Sequence, residues 1–209
     1  MSEKKEHWEK VYRKKSPLEV SWYQADPTLS MSLIGGVALP MDAPIIDIGG
    51  GASRLVDELS DKGYTNISVL DISGSALAHA KQRLGSRANR VRWYEEDVTC
   101  FKPPQRFLLW HDRAVFHFLT SSADRRKYVR VLEQALLPGG HVVIMTFAIG
   151  GPSKCSGLDI VQYDADRLTT ELGVDFDLMD SGYEMHLTPA GNKQKFVYFR
   201  LMRSRSLQE

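Results

Sequence analysis

The chain has 209 residues, 43% of them apolar and 25% charged, with a net charge of +1, which is the composition of one globular domain with a sizeable core. The balanced charge gives no bulk argument for nucleic acid as a partner, and no apolar run approaches the roughly 18 residues that cross a membrane. The charged start Met1-Ser-Glu-Lys-Lys-Glu-His-Trp8 lacks the apolar centre of a signal peptide, and Cys100 and Cys155 lack metal-ligand spacing, so unpaired thiols in a reducing cytoplasm are expected.

Residues 3–15 read as a polar helix with Trp8 and Tyr12 one turn apart on one face, ended by Ser16-Pro17. A second aromatic pair, Trp22-Tyr23, precedes Asp26-Pro27, and 28–38 form a short apolar helix closed by Gly35-Gly36 or Pro40. The aromatics of this N-terminal cap either pin it to the core or cover a ligand. The chain then runs through Pro44-Ile-Ile-Asp-Ile-Gly-Gly-Gly-Ala-Ser53: a strand, a tight loop and a helix that reaches Lys62 and stops at Gly63. The glycines let a ligand approach the backbone, and the helix start offers unpaired N–H groups. A second strand, 66–71, ends on Asp71, 22 residues after Gly49, where a carboxylate can accept from the two hydroxyls of a ribose. Ser73 caps a helix Gly74–Leu84 closed by Gly85, and a third strand, Val91–Glu95, leads into Glu96-Asp97-Val98.

Pro103-Pro104 break the chain before a fourth strand, Arg106–Trp110. It delivers His111-Asp112-Arg113-Ala-Val-Phe-His117-Phe118 to the C-terminal edge of the sheet, where open α/β folds put their chemistry. Asp112, His111 and His117 are candidate general bases by location; the plain alternatives are a helix cap for Asp112 and a core role for His117. A capped helix, 123–136, buries Tyr128, Val131, Leu132 and Ala135, and Leu137-Pro-Gly-Gly140 turns into a fifth strand, 141–147. The glycine-rich stretch 148–161 is an ordinary surface loop or a functional flap at the mouth of the sheet, which the resemblance given below implies would meet an acceptor. A helix from Tyr163-Asp164 to Gly173 follows, then two antiparallel strands, 176–184 and 195–202. Glu184 and His186 on that hairpin read as solvated residues near the mouth of the site, and Arg203-Ser-Arg205 as a solubilising tail.

The glycine loop does not complete G-x-G-x-x-G, because the third position counted from Gly49 is Arg54 and the second counted from Gly50 is Ala52. It matches Asp-x-Gly-x-Gly-x-Ser at Asp47, Gly49, Gly51 and Ser53, and so resembles motif I of the class I S-adenosylmethionine (SAM)-dependent methyltransferases, with Asp71 in the place of their ribose-binding acid. Trp8-x-x-x-Tyr12 with the later Trp22-Tyr23 is similar to the subgroup containing elongation-factor lysine methyltransferases, in which the N-terminal segment folds over SAM. The resemblance runs from about Trp8 to Met202. It implies a Rossmann-like α/β fold: a seven-stranded, mostly parallel sheet with helices on both faces and an antiparallel C-terminal hairpin. Residues 1–209 would form a single methyltransferase domain, with 1–40 as the helical cap and 41–209 as the SAM-binding core.

The resemblance also implies transfer of a methyl group from SAM to a nitrogen, oxygen or sulfur nucleophile, leaving S-adenosylhomocysteine (SAH). Asp97 would accept from the adenine amino group, the Val98 backbone N–H would meet a ring nitrogen, and Ile72, Trp110 and Trp22 complete the expected cofactor contacts; no metal is implied. Asn/Asp-Pro-Pro-Tyr is missing after the fourth strand, which disfavours adenine and amide acceptors. Asp112-Arg113 is similar to the Asp-Lys-Gly segment of the lysine-modifying subgroup but lacks its lysine and glycine. The acceptor is therefore either a protein lysine or a small molecule with a thiol, amine, hydroxyl or acid. The rival functions are SAM binding without catalysis and, more remotely, a nicotinamide-dependent oxidoreductase.

Overall fold

The buried apolar runs of the core become strands and the amphipathic stretches between them helices in the computed structural model, which describes residues 2–204. The N-terminal cap supplies α1 (Glu3–Lys14) and α2 (Thr28–Gly35). A βα alternation follows: β1 (Ile45–Ile48), α3 (Leu55–Asp61), β2 (Ile67–Asp71), α4 (Gly74–Leu84), β3 (Arg92–Glu95), β4 (Phe107–Arg113), α5 (Ser122–Ala135) and β5 (Leu136–Phe147). Helix α4 starts where Ser73 Oγ accepts from the Ala76 N–H at 3.1 Å and ends at Gly85, in the left-handed region at φ 58°. A two-stranded hairpin, β6 (Lys154–Cys155) and β7 (Leu158–Asp159), precedes α6 (Ala165–Leu172), β8 (Phe176–Leu187) and β9 (Lys193–Arg203).

Seven strands form one sheet in the order β3-β2-β1-β4-β5-β9-β8. The five on the β3 side are parallel; β9 runs antiparallel to β5, and β8 antiparallel to β9. Every residue of β1 is buried, as a central parallel strand covered on both faces requires. Ile45, Leu109 and Val69 face α3 and α4; Ile46, Ile48 and Trp110 face α5. The strand order reverses between β1 and β4, and this opens a crevice beyond their C-terminal ends.

Four strands run longer than their sequence suggests, β8 reaching Leu187 and β9 spanning Lys193–Arg203. Strand β4 continues through His111-Asp112-Arg113, because these residues pair with Val143, Ile144 and Met145 of β5. Strand β5 begins at Leu136, paired with Phe107 ahead of a register irregularity that absorbs Pro138-Gly-Gly. Arg203, expected in a solvated tail, ends β9 with its guanidinium donating to the Glu133 and Leu136 carbonyls at the end of α5; Arg205 lies outside the described residues. Among the described residues no helix is long and apolar enough to cross a membrane.

Candidate active site

The glycine loop leaves β1 with Gly49 at φ 65°. A Cβ built there would lie 2.1 Å from Val115 Cγ2, so the backbone of the loop and the turn after β4 come together only at a glycine. A Cβ at Gly51 would lie 2.4 Å from Asp71 Oδ2. That closeness lets the Gly51 N–H donate to the same oxygen at 3.0 Å, while Asp71 Oδ1 accepts from the Ser73 N–H at 2.8 Å. Burial pushes the Asp71 carboxyl up to about 7, against the two backbone donors and with the help of the Asp47 and Glu9 charges.

The far side of the loop is held by a residue that sequence reasoning missed. Arg83 of α4 reaches Asp57 with Nε and Nη2, at 3.0 and 2.6 Å to one oxygen, and donates to the Ala52 and Ser53 carbonyls at 3.1 and 2.6 Å. Its partners lie 26 to 31 positions away, beyond any local pattern. Ser53 itself uses its Oγ to accept from the Leu55 N–H at 3.1 Å at the start of α3.

The polar run of β4 is split by the alternation of a strand, which sends successive side chains to opposite faces. His111 points toward β1 and α2, with Nδ1 2.7 Å from Asp47 Oδ1 and Nε2 2.9 Å from Ser30 Oγ. Trp110 and Asp112 point toward α5. Asp112 Oδ2 accepts from the Tyr128 hydroxyl at 2.7 Å, and that hydroxyl accepts from Trp110 Nε1 at 2.8 Å. Asp112 Oδ1 accepts from the Val115 and Phe116 N–H groups at 2.9 and 3.3 Å, so it caps the turn after β4. Burial raises this carboxyl to about 6, and the Tyr128 and backbone donors limit the rise. His117 is fully buried between Phe118 and Phe147, and its Nδ1 accepts from the Phe147 N–H at 3.3 Å. Burial and the nearby Arg113 push its pKa down to about 3, which keeps it neutral. The three candidate bases therefore occupy three separate environments, and neither Asp112 nor His117 lines the main cavity.

That cavity, of about 330 Å³, lies over the C-terminal edge of β1, β2 and β4. Gly49, Asp71, Ile72, Asp97 and Val98 form one side. Ala114, Val115 and Phe118 form the other, and Trp8, Tyr12 and Trp22 roof it. The roof is a contact chain of aromatic edges: Trp8 meets Trp22 at 5.6 Å and Phe118 at 5.1 Å, and Trp22 Nε1 donates to the Tyr12 hydroxyl at 3.1 Å. Cys155, Leu158 and Asp159 of the β6–β7 hairpin close one end. A smaller cavity of about 50 Å³ adjoins at Gly49 and holds Asp47, Gly50, Ser53 and His111. Asp47 Oδ2 is buried there without a partner.

A model of a methyltransferase domain matches residues 45–140. Over that stretch the chain is similar to the class I SAM-dependent methyltransferases. Among its relatives is the eEF1A lysine and N-terminal methyltransferase of Danio rerio, 26% identical over 68% of this chain and 21% of that protein. Another is the malonyl-[acyl-carrier protein] O-methyltransferase 2 of Ilyobacter polytropus, 27% identical over 49% of this chain and 39% of that protein. The chain thus spans about a fifth of the first relative and two fifths of the second. A crystal structure of a SAM-dependent methyltransferase from Anabaena variabilis shares the fold with a TM-score of 0.74, at 15% identity over 97% of this chain and 96% of that one.

The residues present fit SAM. An unpartnered carboxylate oxygen of Asp47 faces the small cavity beside the glycine loop. Of the residues expected to touch the cofactor, the two cavities bring together Asp47, Gly49, Ser53, Asp71, Ile72, Asp97, Val98 and Trp22. Gly51 acts from behind, by holding Asp71. Trp110 is fully buried on the α5 face and lines neither cavity, because it neighbours His111 on a strand and so points the opposite way. Arg113 lines both cavities, and Glu184 and His186, read as solvated, both turn inward: His186 Nε2 lies 2.8 Å from the Ser21 carbonyl and Glu184 accepts from Gln24 at 3.1 Å. The period of β4 put Arg113 on the face of His111, a signal the sequence did carry.

Proposed function

We propose that residues 1–209 work as a single methyltransferase domain that binds SAM across the two cavities and passes its methyl group to an acceptor entering between α1, the turn after β4 and the 148–161 segment. The observation that carries this is the continuous wall from Gly49 through Asp71 and Ile72 to Asp97 and Val98, at the point where the strand order reverses. When bound, SAM supplies a methyl group already activated on a sulfonium. Asp71 would take the ribose hydroxyls, Asp97 and the Val98 N–H the adenine edge, and Asp47 Oδ2 the ammonium of the amino-acid tail. Trp8, Tyr12 and Trp22 cover the site and exclude water, and the protein's main contribution is positioning.

Two acceptor classes have support. The Danio rerio relative's name couples lysine and N-terminal methylation, and the α1 aromatics resemble its subgroup; the Ilyobacter polytropus relative's name specifies O-methylation. The hairpin wall at Cys155, Leu158 and Asp159 favours a small acceptor, because it narrows the entrance. The two cysteines, both free, suit the cytoplasm. Incubation with SAM labelled in its methyl group, against protein extract and a metabolite pool, tests the reading. Label in neither pool, with SAH still bound, would leave a SAM-binding protein without catalysis.

A further inference from the structure

One buried cation is not used by any cofactor contact above. Arg113, at the end of β4, has a side chain only 11% exposed. Its Nη1 donates to the Trp22 carbonyl at 2.9 Å. Its Nε and Nη2, the edge that grips a carboxylate with two parallel hydrogen bonds, are buried without a partner. Glu184 Oε2 stands 3.9 Å from Nη2, within Coulomb reach and short of a hydrogen bond, and is itself unpartnered. The guanidinium lies 4.8 Å over the ring of Phe196 on β9. Strand β9 is three strands from β1, a backbone spacing of about 14 Å, so the guanidinium, which also borders the small cavity at the glycine loop, extends toward the acceptor side.

Apart from Glu184, which faces Arg113, the same end of the cavity holds no free base among the described residues. His111 and Asp112 are committed to Asp47, Ser30, Tyr128 and the turn N–H groups. His117 lies behind Phe118. Tyr12 and Cys155 line the cavity, but burial raises both, the thiol to about 11. Lys4 is paired with Asp124, and Asp159 with Lys154. A nucleophile that must lose a proton is poorly served here, and one that is already anionic is well served.

Resting on the methyltransferase reading, we propose that the acceptor is a carboxylic acid with an apolar body, held as its carboxylate on the Nε–Nη2 edge of Arg113, and that the product is its methyl ester. One carboxylate oxygen attacks the methyl carbon, the carbon–sulfur bond breaks with its electron pair going to sulfur, and neutral SAH leaves. No proton moves. Trp8, Phe118, Leu119 and Leu158 supply the apolar wall for the rest of the acid.

The test offers the full chain methyl-labelled SAM with octanoate, cinnamate, free lysine and a lysine-containing peptide, then treats the products with alkali. The proposal expects label on an acid, released by alkali as volatile methanol. It also expects Arg113→Gln to raise KM for the acid about tenfold or more, with SAH affinity within about twofold of wild type by titration calorimetry. Glu184→Gln, which removes the rival anion and leaves the cation in place, should lower KM. Alkali-stable label on an amine overturns the proposal, as does absence of transfer to either acid while SAH binds normally. Loss of SAH affinity in Arg113→Gln also overturns it, by giving the guanidinium to the cofactor's own carboxylate. Failure of wild type to bind SAH overturns the underlying reading as well and is seen in a separate measurement.

Discussion

Asp71 gives both oxygens to backbone N–H groups and still borders the cavity, and the cost of burying its charge dominates its behaviour. Its folded pKa of about 7 lies above the unfolded carboxylate value near 4, so the folded chain holds this proton more tightly. The resulting stabilisation is complete below about pH 4 and is lost as pH rises through about 7. Asn has no such dependence. The stability of wild type relative to Asp71→Asn should therefore fall between pH 4 and 8, by at most about 1.4 kcal/mol per pH unit, in parallel denaturant titrations. A pH-independent difference would show that Asp71 is solvated. Asp112 is also raised by burial, and its three donors tie it to α5 and to the turn after β4. Asp112→Ala orphans the Tyr128 hydroxyl and the Val115 N–H, and should lower stability by about 2–4 kcal/mol while SAH still binds. An Asp112→Ala enzyme that keeps wild-type stability would return Asp112 to the list of candidate bases.

At the scale of elements, α1 is held over the core by side chains: Lys4 pairs with Asp124, Lys5 with Glu95, and Trp8 packs on Phe118. Glu9 of α1 accepts from Ser75 Oγ at 2.5 Å and from the Ser75 N–H at 3.2 Å, at the start of α4, and His7 lies 3.4 Å from Ser156 of the β6–β7 hairpin. Glu9→Ala should loosen α1 over the cavity: faster hydrogen exchange in 3–14, weaker SAH binding by about 1–2 kcal/mol, and an unaltered sheet. Exchange that speeds up in β1 and β2 as well would mean that α1 is part of the core rather than a cover. Helix α4 is tied to the glycine loop in a stronger way, and Arg83→Ala leaves Asp57 and two carbonyls without partners. A loss of about 2–4 kcal/mol is expected, together with weaker SAH binding. A variant that loses stability and binds SAH as wild type would separate the staple from the site. The helices and their ends were legible because Ser73, Gly63 and Gly85 are local signals. Arg83 was not, because its partners are set only when α4 packs beside the loop.

Across the whole molecule, the alternation of apolar runs and caps was enough to lay out the parallel half of the sheet, and the acids at 47, 71 and 97 stood out because each lies at or within two residues of a strand's C-terminal end. The edge of β4 was harder to read. Four polar residues close in sequence looked like one cluster, and strand pairing with β5 sent them to different faces; only tertiary pairing decides whether such a run is strand or loop. Arg113 and Glu184 face each other from β4 and β8, about seventy positions apart, which no spacing rule relates. Every acceptor reading depends on the cofactor site. Thermal unfolding of wild type and Asp71→Ala with SAH, and separately with NAD, tests it most directly. At a hundredfold excess over the dissociation constant, SAH should stabilise wild type by about 2.7 kcal/mol, a rise in Tm of roughly 5–11 °C. Asp71→Ala should lose most of that rise, and NAD should give none. Stabilisation by NAD and not by SAH, or an Asp71→Ala protein that responds to SAH as wild type does, would contradict the account.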